Sequence, residues 1–244
     1  MKPALSKAGK WLLNALLPRA CLHCGEDLPY LDARPLCAAC AGALEPLPEL
    51  HCSVCGLPLR EGGRSCRDCR GRGAGSLALA RSAFVFNPQL RSVVHAFKYR
   101  AREDLAGFLA AEMTAALGRF PELAPHAFAL PVPLHPSRAR ERGFDQACLL
   151  ARGLAGRAGL FCLEGAAARA RNTPSQTSLS KEERRANVAG AFHVERPELV
   201  KGRKILLVDD VATTLATLDA LAGELLKAGA KSVAAYTLAR EPLP

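Results

Sequence analysis

Ile205-Leu206-Leu207-Val208-Asp209-Asp210-Val211-Ala212-Thr213-Thr214-Leu215-Ala216-Thr217 is the stretch on which the fold turns. Its four leading apolar residues predict a strand buried on both faces, as in a parallel sheet. Asp209 and Asp210 then stand at the strand's C-terminal end, the edge where open α/β sheets hold their ligands. A polar turn with Thr213, Thr214 and Thr217 opens a helix predicted over 218–228, and a strand follows over 232–238. Strand, helix, strand in that order implies a parallel pair joined by a right-handed crossover. Amides at a helix start, with hydroxyls beside them, suit a phosphate monoester. Two aspartates would repel that phosphate unless donors stood between them. A ribose supplies the donors: its 2′ and 3′ hydroxyls meet the carboxylates while its 5′-phosphate sits in the threonine turn. The simpler alternative is a capped turn with no ligand, although two adjacent acids and three threonines exceed what a cap uses.

Upstream, the same alternation continues. Strands are predicted over 79–86, 127–132 and 191–194, and helices over 89–99, 105–117 and 144–158. With 244 residues and 49% hydrophobic content, the chain can bury a full core. The expected fold class is α/β, a parallel sheet flanked by helices. Between the predicted helix at 144–158 and the strand at 191–194 runs a polar, arginine-rich stretch, 169–187. A long polar loop inside a compact domain is often a lid, and the alternative is a solvated charged face.

Before residue 71 the pattern is different. Eight of the ten cysteines fall in four CxxC pairs: Cys21/Cys24, Cys37/Cys40, Cys52/Cys55 and Cys66/Cys69. The segment is rich in glycine and proline and has no sustained apolar period, so it needs a staple to fold. Each pair can form a knuckle offering two sulfurs, and two knuckles complete a tetrahedron around zinc. The expected sets are Cys21, Cys24, Cys37, Cys40 and Cys52, Cys55, Cys66, Cys69, holding two structural Zn²⁺. An interleaved pairing, or His23 or His51 in place of a sulfur, stays open at this level. Cys148 and Cys162 fall in helix and strand contexts and read as small buried hydrophobes. Gly71 to Gly75 reads as a linker. The expected organisation is an amphipathic helix over 1–18, a double zinc ribbon over 19–73 and an α/β domain over 76–244.

Metal binding rather than disulfide bonding presumes a reducing compartment. Lys2, Lys7 and Lys10 precede an apolar run, Trp11 to Leu17, too short to span a bilayer and marginal for a signal-peptide core. A cytoplasmic chain with no membrane span is expected. The formal charge of +10 counts every thiol as neutral; each zinc with four thiolates carries −2, so two filled sites leave about +6. That balance favours anionic partners without singling out nucleic acid.

Asp209 to Thr217 resembles the phosphoribosyl-diphosphate (PRPP) loop of type I phosphoribosyltransferases, with Asp209 and Asp210 as catalytic acids and Ala212, Thr213, Thr214, Leu215, Ala216 and Thr217 around the ligand. The whole chain from Cys21 to Arg240 is similar to the ComF family of competence-associated proteins. The likeness extends to Phe97-Lys98-Tyr99, Pro131 to Pro136, Arg138, Arg140, Arg142-Gly143-Phe144, Gln146, Arg169, Arg171, Thr173, Gln176, Arg184, Asn187-Val188 and Gly190 to Phe192. It implies a pyrophosphate loop over 132–140, in which His135, Arg138 and Arg140 meet the diphosphate, and a hood carrying Arg169, Arg171, Gln176 and Arg184. Lys98 is either a further phosphate contact or a snorkelling surface residue. Where the family's loop has glycine, this chain has Leu215. A leucine held at positive φ would cost about 1 to 2 kcal/mol.

Two functional expectations follow. The resemblance implies a phosphoribosyltransferase-like protein acting in DNA uptake and natural transformation, binding PRPP with Mg²⁺. The alternative is a non-catalytic module that holds single-stranded DNA or a DNA-uptake helicase, with the pocket sensing a nucleotide. Runs such as Arg138-Arg140-Arg142 fit a phosphate track, but aromatics for base stacking are sparse at 5%. A salvage enzyme with a nucleobase acceptor fits less well, having no need of the zinc module.

Overall fold

The computed structural model describes residues 19–29, 32, 34–70, 75–171, 188 and 190–242. The expected helix over 1–18, most of the linker, and Thr173, Gln176, Arg184 and Asn187 of the hood lie outside the described residues.

In chain order the elements are β1 (Arg19–Ala20), β2 (Asp27–Leu28), α1 (Ala38–Gly42), β3 (Leu79–Val85), α2 (Pro88–Tyr99), α3 (Ala106–Leu117) and β4 (Phe128–Pro131). They continue with α4 (Pro136–Arg142), α5 (Gln146–Ala158), β5 (Phe161–Cys162), β6 (Ala167–Arg169), β7 (Phe192–Val194), β8 (Lys204–Ala212), α6 (Ala216–Lys227) and β9 (Ser232–Arg240). Five strands form one sheet in the order β3-β9-β8-β4-β5, parallel at every junction. The fold is the α/β class expected, with the two four-cysteine sites ahead of it.

The alternation of side chains along a strand distributes the core. Leu206 and Val208 of β8, with Ala234, Tyr236 and Leu238 of β9, face α2, α3 and α5. Ile205 and Leu207, with Val233 and Ala235, face α6. The helix after β4 and the helix after β8 therefore cover opposite faces. The crevice between these two strands is the switch point at which such sheets bind ligands.

Local chemistry sets the helix boundaries. Asn87 caps α2, its side chain accepting from Leu90 N at 3.0 Å with Pro88 in the first turn. Asp145 caps α5, accepting from Cys148 N at 3.1 Å, and Gly159 closes it at φ 70°.

Three outcomes depart from the sequence reading. Strand β8 runs four residues past Val208, because β9 continues alongside it and pairs Asp209 with Thr237 and Ala212 with Arg240. The acids therefore lie within the strand rather than after it. The expected pyrophosphate loop, 132–140, is helical from Pro136 onward, in a helix that runs to Arg142. Pro136 pre-sets the first turn, and Gly143 at φ 84° ends the helix. The short strand β6 was not foreseen; it pairs antiparallel with β7.

The cysteine-rich front end covers the outer edge of β3. Ala80 N donates to Val54 O at 2.7 Å, Leu47 N to Ala83 O at 3.1 Å and Val85 N to Glu45 O at 2.8 Å. An otherwise unpaired sheet edge is thereby satisfied. Gly56, at φ +66°, makes the approach possible, since a Cβ there would fall 2.7 Å from Ala80 O. Among the described residues, no helix is long and apolar enough to cross a membrane.

Candidate functional site

The eight front-end thiols gather into Cys21, Cys24, Cys37, Cys40 and Cys52, Cys55, Cys66, Cys69, with all four sulfurs of each set within 4.8 Å of one another. The Cys24 and Cys37 sulfurs are 3.8 Å apart and those of Cys55 and Cys66 3.6 Å. Four thiolates about 2.3 Å from a tetrahedral zinc stand about 3.8 Å from each other, so both sets fit the ion. In both sets burial raises the first thiol, but neighbouring backbone N–H groups outweigh it, bringing Cys21 down to about 6 and Cys52 to about 7. Amides aimed at a sulfur in this way characterise a knuckle that favours thiolate. Neither histidine joins a set. His23 Nδ1 lies 3.1 Å from Ser92 Oγ, and His51 Nδ1 lies 2.7 Å from Pro48 O. Cys148 and Cys162 stand apart, half-buried, with burial pushing their thiols up to about 12 and 11.

At the C-terminal edge of the sheet, a cleft of about 360 Å³ opens between β8, the start of α6, α2 and α4. Asp209 and Asp210 form its floor, and Ala212, Thr213, Leu215, Ala216 and Thr217 form one wall. Thr214 is not on that wall; its Oγ1 accepts from Ala216 N at 3.4 Å. Leu215 sits at φ 63°, ψ 4°, the left-handed position foreseen for a glycine, and as N-cap it offers the helix no side-chain hydrogen bond. The N-terminal amides and positive dipole end of α6 therefore border the cleft.

The two acids are not equivalent. Asp210 is buried at 3% exposure, and its carboxylate pairs with Lys98 Nζ at 2.8 Å. Asp209 lines the open cleft, as does Arg169. Burial first, then the neighbouring Asp210 carboxylate, pushes Asp209 up to about 7, with Lys98 opposing. Lys98 lines the cleft and is the counter-ion of Asp210.

The opposite wall is cationic. Arg138 and Arg142, four residues apart, share one face of α4 and line the cleft, while Arg140 points to solvent. Arg169, at the end of β6, also lines the cleft and stacks over Phe192 at 5.4 Å. His135 is held away, its Nδ1 2.7 Å from Ser137 Oγ, as the cap of α4. Arg171 is exposed and does not line the cleft.

Sequence reasoning gave Arg142 only within a basic run and Tyr99 and Gln146 only as family-like positions without a role; all three line the cleft. Helical spacing from Arg138 would have found Arg142, had the segment been read as helix. The Arg142 guanidinium lies over the Tyr99 ring at 5.3 Å. Arg142 Nη1 and Gln146 Oε1 are buried yet meet no hydrogen-bond partner among the described residues. A buried donor and a buried acceptor beside a cleft are suited to a polar ligand.

Two family models match the chain in order. A double zinc ribbon domain matches residues 12–70, and a phosphoribosyl transferase domain matches residues 141–243. The DNA utilization protein YhgH of Salmonella typhi is 32% identical over 231 residues, spanning 92% of this chain and 98% of that protein. Competence protein F of Haemophilus influenzae is 29% identical over 226 residues, spanning 90% and 96%. Competence protein ComFC of Bacillus subtilis is 30% identical over 215 residues, spanning 84% of both chains. With both halves matched in order and relatives aligned over most of their lengths, the chain belongs to the ComF family.

Proposed function

We propose that the cleft binds PRPP or another ribose 5-phosphate and that the protein serves DNA uptake, as the names of its competence and DNA-utilization relatives suggest. One observation carries the ligand reading. A carboxylate, Asp209, a helix-opening turn and three guanidinium groups, Arg138, Arg142 and Arg169, converge on a single cleft. A sugar accounts for the carboxylate, a monoester for the turn and a diphosphate for the arginines. The double zinc ribbon, the phosphoribosyltransferase-like domain and the catalytic assignment of Asp209 and Asp210 belong to this reading.

In a transfer reaction, the bond from C1 to the diphosphate oxygen breaks with its electron pair leaving on pyrophosphate, while an incoming nucleophile bonds to C1. Asp209 stabilises the positive charge that develops on the ring, and the arginines hold the leaving group. Mg²⁺ accompanying PRPP would neutralise the diphosphate, and Asp209 would offer it a hard oxygen ligand from the floor.

The test is pyrophosphate release from PRPP and Mg²⁺, screened across bases and amines, with calorimetry of PRPP on the same samples. Asp209→Asn/Asp210→Asn is the control. Binding lost in the control supports the site; no binding by the wild type overturns it. Leu215 favours a second reading, ligand held without turnover, because it occupies the family's glycine position and narrows the phosphate wall. Binding without release under every acceptor would support that reading. Salt-dependent capture of single-stranded DNA that survives Asp209→Asn would place nucleic acid elsewhere on the surface.

A further inference from the structure

Arg240 ends β9 in the interior, 3% exposed. Its Nε donates to Cys55 O at 3.1 Å, and its Nη1 donates to Ala212 O at 3.0 Å and to Thr213 O. Among the described residues, no carboxylate forms an ion pair with it, and a guanidinium does not shed its proton. A buried cation satisfied by carbonyls alone needs countercharge nearby. The adjoining source is the second four-cysteine set, of which Cys55 is a member. Four thiolates around zinc leave a net −2.

A second link is apolar. The Leu215 side chain packs on the cluster of Cys52, Cys55, Leu57 and Cys66. The phosphate turn is therefore fastened to the second ribbon at both ends, through Ala212 and Thr213 by Arg240 and through Leu215 by packing. Among the described residues, the first four-cysteine set has no contact of this kind with the turn; Cys21, Cys37 and Cys40 pack with the residues facing α2 and α3.

We infer that Arg240 is a positioning residue through which the metal-loaded second ribbon holds the Ala212 to Thr217 turn in its ligand-receiving conformation. The zinc module then has a role in the pocket beyond its own folding, and only one of its two ions has it. The affinity part of this inference rests on the proposed ribose-phosphate reading, whereas the backbone part does not.

The experiment is hydrogen exchange on the full zinc-loaded chain, read at the Asp219 and Glu241 amides, which donate to Leu215 O and Ala212 O of the turn. Arg240→Met and Cys69→Ser should each speed exchange there by at least about tenfold, whereas Cys24→Ser should leave it within about twofold. Arg240→Lys keeps the charge but cannot bridge Cys55 to Ala212 and Thr213 at once, so it should fall between. It also serves where Arg240→Met fails to fold. Unchanged exchange in both Arg240 variants, with two zinc ions retained, would overturn the inference, as would equal effects of Cys24→Ser and Cys69→Ser.

Ribose 5-phosphate supplies the second arm. It should bind Arg240→Met at least about tenfold more weakly than wild type. By reciprocity it should slow zinc release to a chromogenic chelator from the wild type and not from the variant. Equal affinity in both proteins overturns the positioning role. Should the wild type bind neither ribose 5-phosphate nor PRPP while the exchange contrast holds, the ligand reading fails and the mount stands.

Discussion

Lys98 Nζ lies 2.9 Å from Oδ1 and 2.8 Å from Oδ2 of Asp210, so one ammonium from α2 spans both oxygens of a carboxylate on β8. The Asp210 side chain is only 5% exposed. The adjacent acids thus divide their work: Asp210 is neutralised and anchors α2 to the sheet, and Asp209 keeps its carboxylate for the cleft. Removing one member of a buried pair strands the other charge. Lys98→Met should cost about 3 kcal/mol in urea unfolding. Lys98→Met/Asp210→Asn should recover most of that. A single-variant loss under about 1 kcal/mol would show the pair to be solvated.

Asp209 gives the stability a pH dependence of definite sign. An unfolded aspartate titrates near 4, and the folded one is pushed up to about 7. Between about pH 4 and 7 the folded chain holds a proton that the unfolded chain has released, so stability falls as pH rises through that window. Asp209→Asn removes this effect. The variant should match wild type near pH 4 and exceed it by up to about 4 kcal/mol at pH 8. Ligand affinity should move oppositely, rising with pH through about 7 in the wild type, since a carboxylate accepts from sugar hydroxyls better than a carboxylic acid. Parallel pH profiles for wild type and Asp209→Asn would refute the assignment.

The cationic wall separates helix geometry from sequence order. Arg138 and Arg142 face the cleft and Arg140 does not. Arg142→Ala should weaken PRPP binding about tenfold or more, whereas Arg140→Ala should change it less than twofold. Calorimetry at one fixed salt concentration decides, and equal losses would mean that the arginines act through net charge alone.

These cases show what sequence could and could not reveal. Ile205 to Val208, the acids after them and the CxxC pairs were legible because their chemistry is local: a run of apolar residues, a carboxylate pair, sulfurs at knuckle spacing. The length of β8 was not, because Asp209 to Ala212 adopt strand geometry only through their partners Thr237 to Arg240 on β9. Lys98 and Asp210 are separated by 112 positions, and nothing in either neighbourhood announces the pair. Arg140 was misplaced for want of one helix. Its first turn depends on Pro136 and on a histidine cap, a weaker signal than serine or aspartate.

The thiols make a counting test. If eight cysteines hold two zinc ions, the native chain should give two zinc per molecule by elemental analysis. At pH 8 it should release almost no colour with a thiol reagent, because Cys148 and Cys162 are half-buried with thiols raised to about 12 and 11. Denaturant with chelator should then expose all ten. Fewer than one zinc per chain, or eight thiols reacting at once in the folded protein, would contradict the two clusters.

Leu215 sets two opposing terms against each other. At φ 63° its Cβ is strained by about 1 to 2 kcal/mol relative to glycine. Its side chain, however, packs on Leu57 and the cysteines of the second ribbon. Glycine relieves the strain but loses that packing and gains freedom in the unfolded chain, so Leu215→Gly should leave global stability within about 1 kcal/mol of wild type. The pocket should respond differently. Glycine opens the wall between Thr213 and Ala216 and lets the backbone come closer to a phosphate, so PRPP or ribose 5-phosphate should bind several-fold more tightly. Leu215→Ala keeps the strain while shedding most of the bulk, and so separates the two causes. Tighter binding in both variants would locate the obstacle in the side chain, and tighter binding in glycine alone would locate it in the backbone. Equal or weaker binding in Leu215→Gly would mean that the second ribbon's grip on Leu215 contributes more to the phosphate seat than the strain takes away.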